Sequence, residues 1–268
     1  MDLGLKGKIV FASASTDGLG LGIAEKAFAE GALVFLGGRS KERLDATLDR
    51  LAKTAGGRAA GGRAAGAVLD MASADSIAAW VEAGKAAMGE PDALLVNAGG
   101  PPPGDFEALM DDEPWQAAFN LTLMSAVRLI RAALPSLKAK KGSILTITSS
   151  SVKEPWPGLI LSGVMRSGVA SLVKSLSIEF APYGVRVNNI APGNIMTGRL
   201  ERLIASEAKG AGISPDQRLA QRQANIPLGR IGEVEEFGRA GAFLLSPAAS
   251  YLSGQTLLVD GGASKFLY

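Results

Sequence analysis

The chain has 268 residues, 28 Lys and Arg against 26 Asp and Glu, 34 glycines, and neither cysteine nor histidine. That length allows one large domain or two small ones, and a balanced charge with no concentrated basic window implies neither a nucleic-acid nor a membrane partner. The missing residue types exclude disulfides, Cys or His metal ligands, cysteine nucleophiles and any Ser-His-Asp arrangement, so no metal site is expected and proton chemistry falls to Tyr, Lys, Asp, Glu, Ser or the substrate.

The predicted elements alternate in chain order. A strand at 9–13 precedes a helix at 18–30, a strand at 32–36 a helix at 40–54, and a strand at 67–70 a helix at 73–89. Strands at 93–98, 143–149 and 185–191 follow, separated by helices at 113–138 and 159–181, and the chain closes with a helix at 233–246 and a strand at 256–260. Strand-helix alternation without a linker-like break predicts a single α/β domain over residues 1–268, built on a doubly wound parallel sheet with helices on both faces. Ligands of such sheets sit at the carboxyl ends of the strands, so site residues are sought there. The tandem duplication at 56–65, GGRAAGGRAA, reads as a lengthened surface loop; a phosphate contact from Arg58 or Arg63 is the sharper alternative. The glycine-punctuated stretch at about 194–232 reads as a mobile substrate lid. With no charged leader region and no long uncharged apolar run, a cytoplasmic protein is expected.

The first strand runs into Ala14-Ser15-Thr16-Asp17-Gly18-Leu19-Gly20. A glycine-rich strand-to-helix turn lets backbone N–H groups and the helix amino end face a pyrophosphate, although a plain capping turn has the same composition and the strict GxGxxG spacing is not met. Taken with Asp70, Asn97-Ala98-Gly99, Asn120, Ser149, Asn189-x-x-Pro192-Gly193-x-Ile195-x-Thr197 and Asp260-Gly261-Gly262, the turn resembles the short-chain dehydrogenase/reductase family over essentially the full length, in particular the branch of 3-oxoacyl-acyl-carrier-protein reductases. The resemblance implies a Rossmann-type NAD(P)-binding domain and a homo-oligomer, tetramer or dimer. It places the cofactor along Ala14 to Gly20, Asp70, Asn97 to Gly99, Arg166, Pro192, Gly193, Ile195 and Thr197. Ala14 stands where the family usually has glycine, a departure of small consequence unless that position needs a positive φ. Gly38 and Arg39 end the second strand where an NAD-selective acid would stand, which favours NADP over NAD; Asp17, in a position often basic in NADP users, argues the other way.

The family's reaction uses Tyr-x-x-x-Lys on one helix face with a serine on the preceding strand. Here Ser149 matches that serine and Asn120 the helix asparagine of a water relay, but the Tyr and Lys positions hold Ser162 and Arg166. A serine hydroxyl is a far weaker acid than a phenol, and arginine stays protonated although its donors can still bind ribose hydroxyls. Tyr183, Tyr251 and Tyr268 offer no obvious replacement. Lys153 and Glu154 are ionisable groups in a plausible loop, or only solvated charges; Pro101 to Pro103 and Trp156 read as pocket walls or as packing. Two functions follow: an NADP-preferring oxidoreductase reducing a carbonyl on a small-molecule substrate, with Ser149 and Asn120 polarising it and water or Lys153 supplying the proton, or a catalytically reduced nucleotide-binding subunit that senses cofactor or supports an active partner.

Overall fold

The computed structural model describes residues 2–54 and 60–267. Seven parallel strands form one sheet in the order β3-β2-β1-β4-β5-β6-β7: β1 (Ile9–Ala12), β2 (Leu33–Gly38), β3 (Arg63–Val68), β4 (Ala93–Val96), β5 (Ser143–Ile147), β6 (Arg186–Pro192) and β7 (Thr256–Val259). The order reverses between β1 and β4, which makes the switch point of a doubly wound fold. One face is covered by α1 (Gly18–Ala29), α2 (Lys41–Lys53) and α9 (Val234–Leu245), around Val10, Leu36, Leu95, Ile190 and Phe237. The other is covered by α3 (Ala74–Met88), α5 (Ser125–Lys140) and α6 (Ile160–Glu179), around Phe11, Trp80, Leu94, Leu129 and Val173. Two buried layers on a parallel sheet explain why the strands read as continuous apolar runs.

The helix preceding β5 is continuous from Asp112 to Lys140, joining α4 (Asp112–Ala118) to α5 through a π-helical turn at Phe119–Met124. Its 29 residues are long and apolar enough to cross a membrane by length and composition. Here Leu129, Ile130, Ala133 and Leu137 are buried against the sheet, so it serves as a core helix. Between β6 and α9 the chain forms α7 (Gly198–Ala211) and α8 (Pro215–Ala224), with a small core of their own around Leu200, Ile204, Ile226 and Ile231.

The expected strand at 67–70 is displaced. β3 begins at Arg63, inside the duplication, and pairs with β2 from Leu33↔Arg63 to Gly38↔Val68, so Arg63, Ala64 and Ala65 are strand and not loop. Alanine is a poor strand former, and a pairing partner overrides that preference. A Cβ at Gly66 would come within 2.6 Å of Leu36 O, so only glycine lets the two strands approach there. The Arg63 guanidinium donates to Ala87 O at 2.9 Å at the amino end of β3, away from the strand ends where a phosphate would bind, which removes its phosphate role. Arg58 and Tyr268 lie outside the described residues.

Candidate active site

The β1-α1 turn is built by hydrogen bonds between two strands. Ser13 Oγ donates to Asn97 O at 2.8 Å and accepts Asn97 N–H at 2.9 Å, while Asn97 Nδ2 donates to Ala14 O at 2.8 Å. Asn97 thus braces the turn, and a Cβ at Gly20 would stand 2.7 Å from its Nδ2. Ala14 has φ +45°, so the departure from glycine falls on a left-handed backbone and is not the mild change its chemistry alone implies. Gly18, at φ +61°, opens α1, and Asp17 caps it by accepting Gly18 N–H at 2.7 Å on Oδ1. Thr16 O accepts the Thr47 hydroxyl at 3.1 Å, Ser15 is buried with its hydroxyl on Ser13 O, and Leu19 packs on the core below.

Beside this turn, a Cβ at Gly38 would come within 2.6 Å of Thr16 Cγ2, so an acidic side chain has no room at that position. Arg39 follows, exposed and without an acceptor among the described residues. Asp70 lies two residues beyond β3 and accepts Ala72 N–H at 3.0 Å, which orients its carboxylate toward its own loop. Pro192 ends β6, and Gly193 leaves space for Asp260, whose carboxylate accepts Gly262 and Ser264 N–H. Ile195 bridges to Gly232, and Thr197 caps α7 on Leu200 N–H with its methyl facing Gly18. A helix amino end at a glycine turn with little room for side chains and an unpaired guanidinium fit a dinucleotide with a phosphorylated ribose.

The catalytic candidates separate into two groups. Arg166 Nε donates to Ser162 Oγ at 3.0 Å and its NH1 reaches Ile147 O at 3.4 Å, which pins α6 to the end of β5; both side chains are buried. β5 ends at Ile147, so Ser149 lies two residues beyond the strand that was expected to end on it. Ser149 Oγ accepts Ser151 N–H at 3.2 Å and keeps its own proton available. Burial lowers the Arg166 guanidinium from its ordinary value to about 10, and the charge of Arg199 acts in the same direction. Asn120, on the π-helical turn, is engaged elsewhere: it donates to Gln116 O at 3.1 Å and accepts Arg128 at 3.1 Å, so its amide is tied along its own helix and not to Ser149, Ser162 or Arg166.

Lys153 and Glu154 turn to the C-terminal tail. The Lys153 ammonium stands 5.4 Å from the Phe266 ring centroid, and Glu154 accepts Lys265 N–H at 3.2 Å. Pro101 to Pro103 lead to Gly104, which bonds Gly158 O and bridges to Leu159, so the loop carrying Trp156 is fastened to the loop after β4. Two features were missed from sequence. Thr122 Oγ1 is buried without a partner among the described residues, beside a cavity of about 10 Å³ that Ile147 and Arg166 also line. Arg199, from the second residue of α7, lies over Gly100, where even a methyl would collide with its guanidinium. A solvent-facing arginine in a surface helix carries no signal in sequence.

A parallel sheet with this turn at its switch point defines a dinucleotide-binding α/β protein of the oxidoreductase type. The family model described as enoyl-(acyl carrier protein) reductase matches residues 13–264. The chain belongs to the short-chain dehydrogenase/reductase family. It is 33% identical over 259 residues to the 3-oxoacyl-[acyl-carrier-protein] reductase of Haemophilus influenzae, covering 96% of this chain and 98% of that one. Among solved structures it resembles L-sorbose reductase from Gluconobacter frateurii, complexed with NADPH and L-sorbose, with a TM-score of 0.92, 30% identity and 100% of each chain covered. It also resembles an NADPH-bound short-chain oxidoreductase from Pseudomonas aeruginosa described as containing an atypical catalytic center, with a TM-score of 0.85, 32% identity, and 97% of this chain and 98% of that one covered.

Proposed function

We propose that the chain is an NADP-dependent carbonyl reductase whose acid-base pair is replaced by Ser162 and Arg166. The observation that carries this is the Arg166–Ser162 hydrogen bond held against the end of β5, two residues before Ser149. The NADPH-bound relatives, the unpaired Arg39 and the lack of side-chain room at Gly38 support NADP over NAD. Residues Ser15 to Gly20 would hold the pyrophosphate, Arg39 the 2′-phosphate and Arg166 the nicotinamide ribose. When bound, NADPH supplies the hydride that adds to the carbonyl carbon.

The residues of the chain then act on the oxygen. Ser149 and Ser162 each accept a hydrogen bond from a fixed donor, which leaves both hydroxyl protons free to point at the carbonyl oxygen. Arg166 places a positive charge behind Ser162, where negative charge develops. At neutral pH a guanidinium titrating near 10 keeps its proton, so Arg166 is not the donor. Water would supply the proton that completes the alcohol, passed to the alkoxide through the Ser149 or Ser162 hydroxyl, which regains it from solvent. Exposed Val164 and Ile178 on α6 support a homo-oligomer built on that helix.

The deciding measurement is steady-state NADPH oxidation against a panel of small ketones and 3-oxoacyl thioesters. Turnover of any class supports the proposal. Tight NADPH binding without turnover of any of them overturns it in favour of a nucleotide-binding subunit that has lost its acid.

A further inference from the structure

Over the strand ends stand cations with no carboxylate partner among the described residues. Arg166 is 7% exposed, and its two bonds go to a hydroxyl and a backbone carbonyl, not to a carboxylate. Arg199 lies on Gly100, at the end of the Asn97 to Gly100 segment that follows β4, and among the described residues its guanidinium has no hydrogen-bond acceptor or ion-pair partner. Arg202 follows one turn along α7 and is likewise without an ion pair; Glu201, between them in sequence, bonds neither. Arg199 stands in the first turn of α7, where the helix dipole is itself positive. Burial, and after it the charge of Arg199, disfavours the charge on Arg166, while burial and then Arg202 disfavour the charge on Arg199.

A buried guanidinium without a carboxylate is costly, and an exposed one beside it adds like charge, so an anion bound between Arg166 and Arg199 would offset both. The pyrophosphate does not answer it, because its place is the β1-α1 turn, which Thr197 and not Arg199 approaches. We propose that the carbonyl substrate carries a carboxylate, and that Arg199 is the residue that reads it. This rests on the reductase reading, with the carbonyl at Ser149 and Ser162 and the carboxylate on the side of Gly100. Arginine suits the task because its planar fork bonds both carboxylate oxygens at once. Arg166, already committed to Ser162, contributes charge to the same cleft and no second fork.

The test separates anion recognition from turnover. Malonate and dimethyl malonate, neither of which has a reducible ketone, are titrated by calorimetry into NADP⁺-saturated protein at low salt. Malonate binding with no binding of the diester is the expected result. Arg199→Ala should weaken malonate by about 10- to 100-fold and Arg199→Lys by less, with NADPH affinity held within about twofold. Gly100→Ala, whose methyl displaces the guanidinium, should weaken malonate as well. Equal binding of acid and ester, or an unaltered malonate affinity in Arg199→Ala, overturns the assignment. So does a parallel loss of NADPH affinity, which would place Arg199 on the cofactor. Malonate binding by a protein that oxidises no NADPH with any ketone would fail the reductase reading alone.

Discussion

Ala14 offers a direct test of how the cofactor turn is held. Its φ of +45° is a left-handed conformation, which costs a side chain with a Cβ about 1–2 kcal/mol. The chain is kept there by Asn97 Nδ2 on Ala14 O at 2.8 Å and by Ser15 N–H on Gly37 O at 2.8 Å. Ala14→Gly removes the steric cost and adds about 0.5–1 kcal/mol of backbone entropy to the unfolded chain. The difference is a net stabilisation of ~0.7 kcal/mol, or a rise in Tm of about 1–3 °C for a domain of this size. Calorimetric melting of the cofactor-free protein measures it. Ala14→Val should instead lower stability by more than about 1 kcal/mol, because a branched Cβ is least tolerated at positive φ. In an Asn97→Ala background the turn is free to relax, and the benefit of glycine should shrink. A lower Tm for Ala14→Gly, or a valine variant as stable as the parent, would refute the strain argument.

Removing the exposed Arg39 guanidinium by Arg39→Ala should weaken NADPH binding by about 1.5–3 kcal/mol and leave NADH binding nearly unchanged; equal losses in a calorimetric titration would sink the phosphate assignment. Ser162→Tyr with Arg166→Lys should raise turnover of an activated ketone by at least about tenfold, and Ser162→Tyr alone by less, since an unassisted phenol titrates near 10. No gain in a folded, NADPH-binding double variant would show that these two positions do not host the acid. Burial alone would raise the Glu207 carboxyl, but the bonds from Arg222 at 2.5 Å and Arg218 at 2.7 Å more than reverse this and hold it below its ordinary value. A lowered carboxylate contributes stability above its unfolded pKa and loses it as pH falls through the folded one, so α7 and α8 should stay latched at neutral pH and loosen in acid below about pH 4. Glu207→Gln should give fast amide exchange in α8 already at pH 7, and wild-type protection unchanged from pH 7 to pH 3 would contradict the latch.

The alternation of apolar runs and helical periods made the doubly wound sheet legible, because both faces of every central strand are buried and leave continuous hydrophobic signals. β3 was misplaced for the converse reason: as an edge strand of alanine and glycine it carries no apolar run, and pairing with β2 alone defines it. The resemblance singled out Ser162 and Arg166, one helical turn apart, but their mutual hydrogen bond was not legible, since rotamers leave no trace in sequence. Lys153 and Glu154 read from sequence as plausible site groups or, more readily, as solvated loop charges. The C-terminal tail, more than a hundred residues away, is what engages them. Arg199 was invisible for the same reason: its significance comes from Gly100, a neighbour only in three dimensions.

On the proposed assignment, arginine in place of lysine at position 166 would have a consequence that the loss of tyrosine alone would not. A lysine ammonium buried to the same depth shifts readily toward its neutral form, which suits a group that passes protons. Arginine under the same burial falls only to about 10 and keeps its charge throughout the physiological range. If Arg166 stands in the catalytic position as proposed, the site has a permanent cation in place of a titratable relay, and its work would be electrostatic: binding hydroxyls and stabilising a developing alkoxide. A buried permanent cation with no carboxylate beside it is destabilising, and the charge of Arg199 increases that cost. On the proposed reading an anion would relieve both penalties, which no carboxylate among the described residues does, and the charge at position 166 would then help to select the substrate.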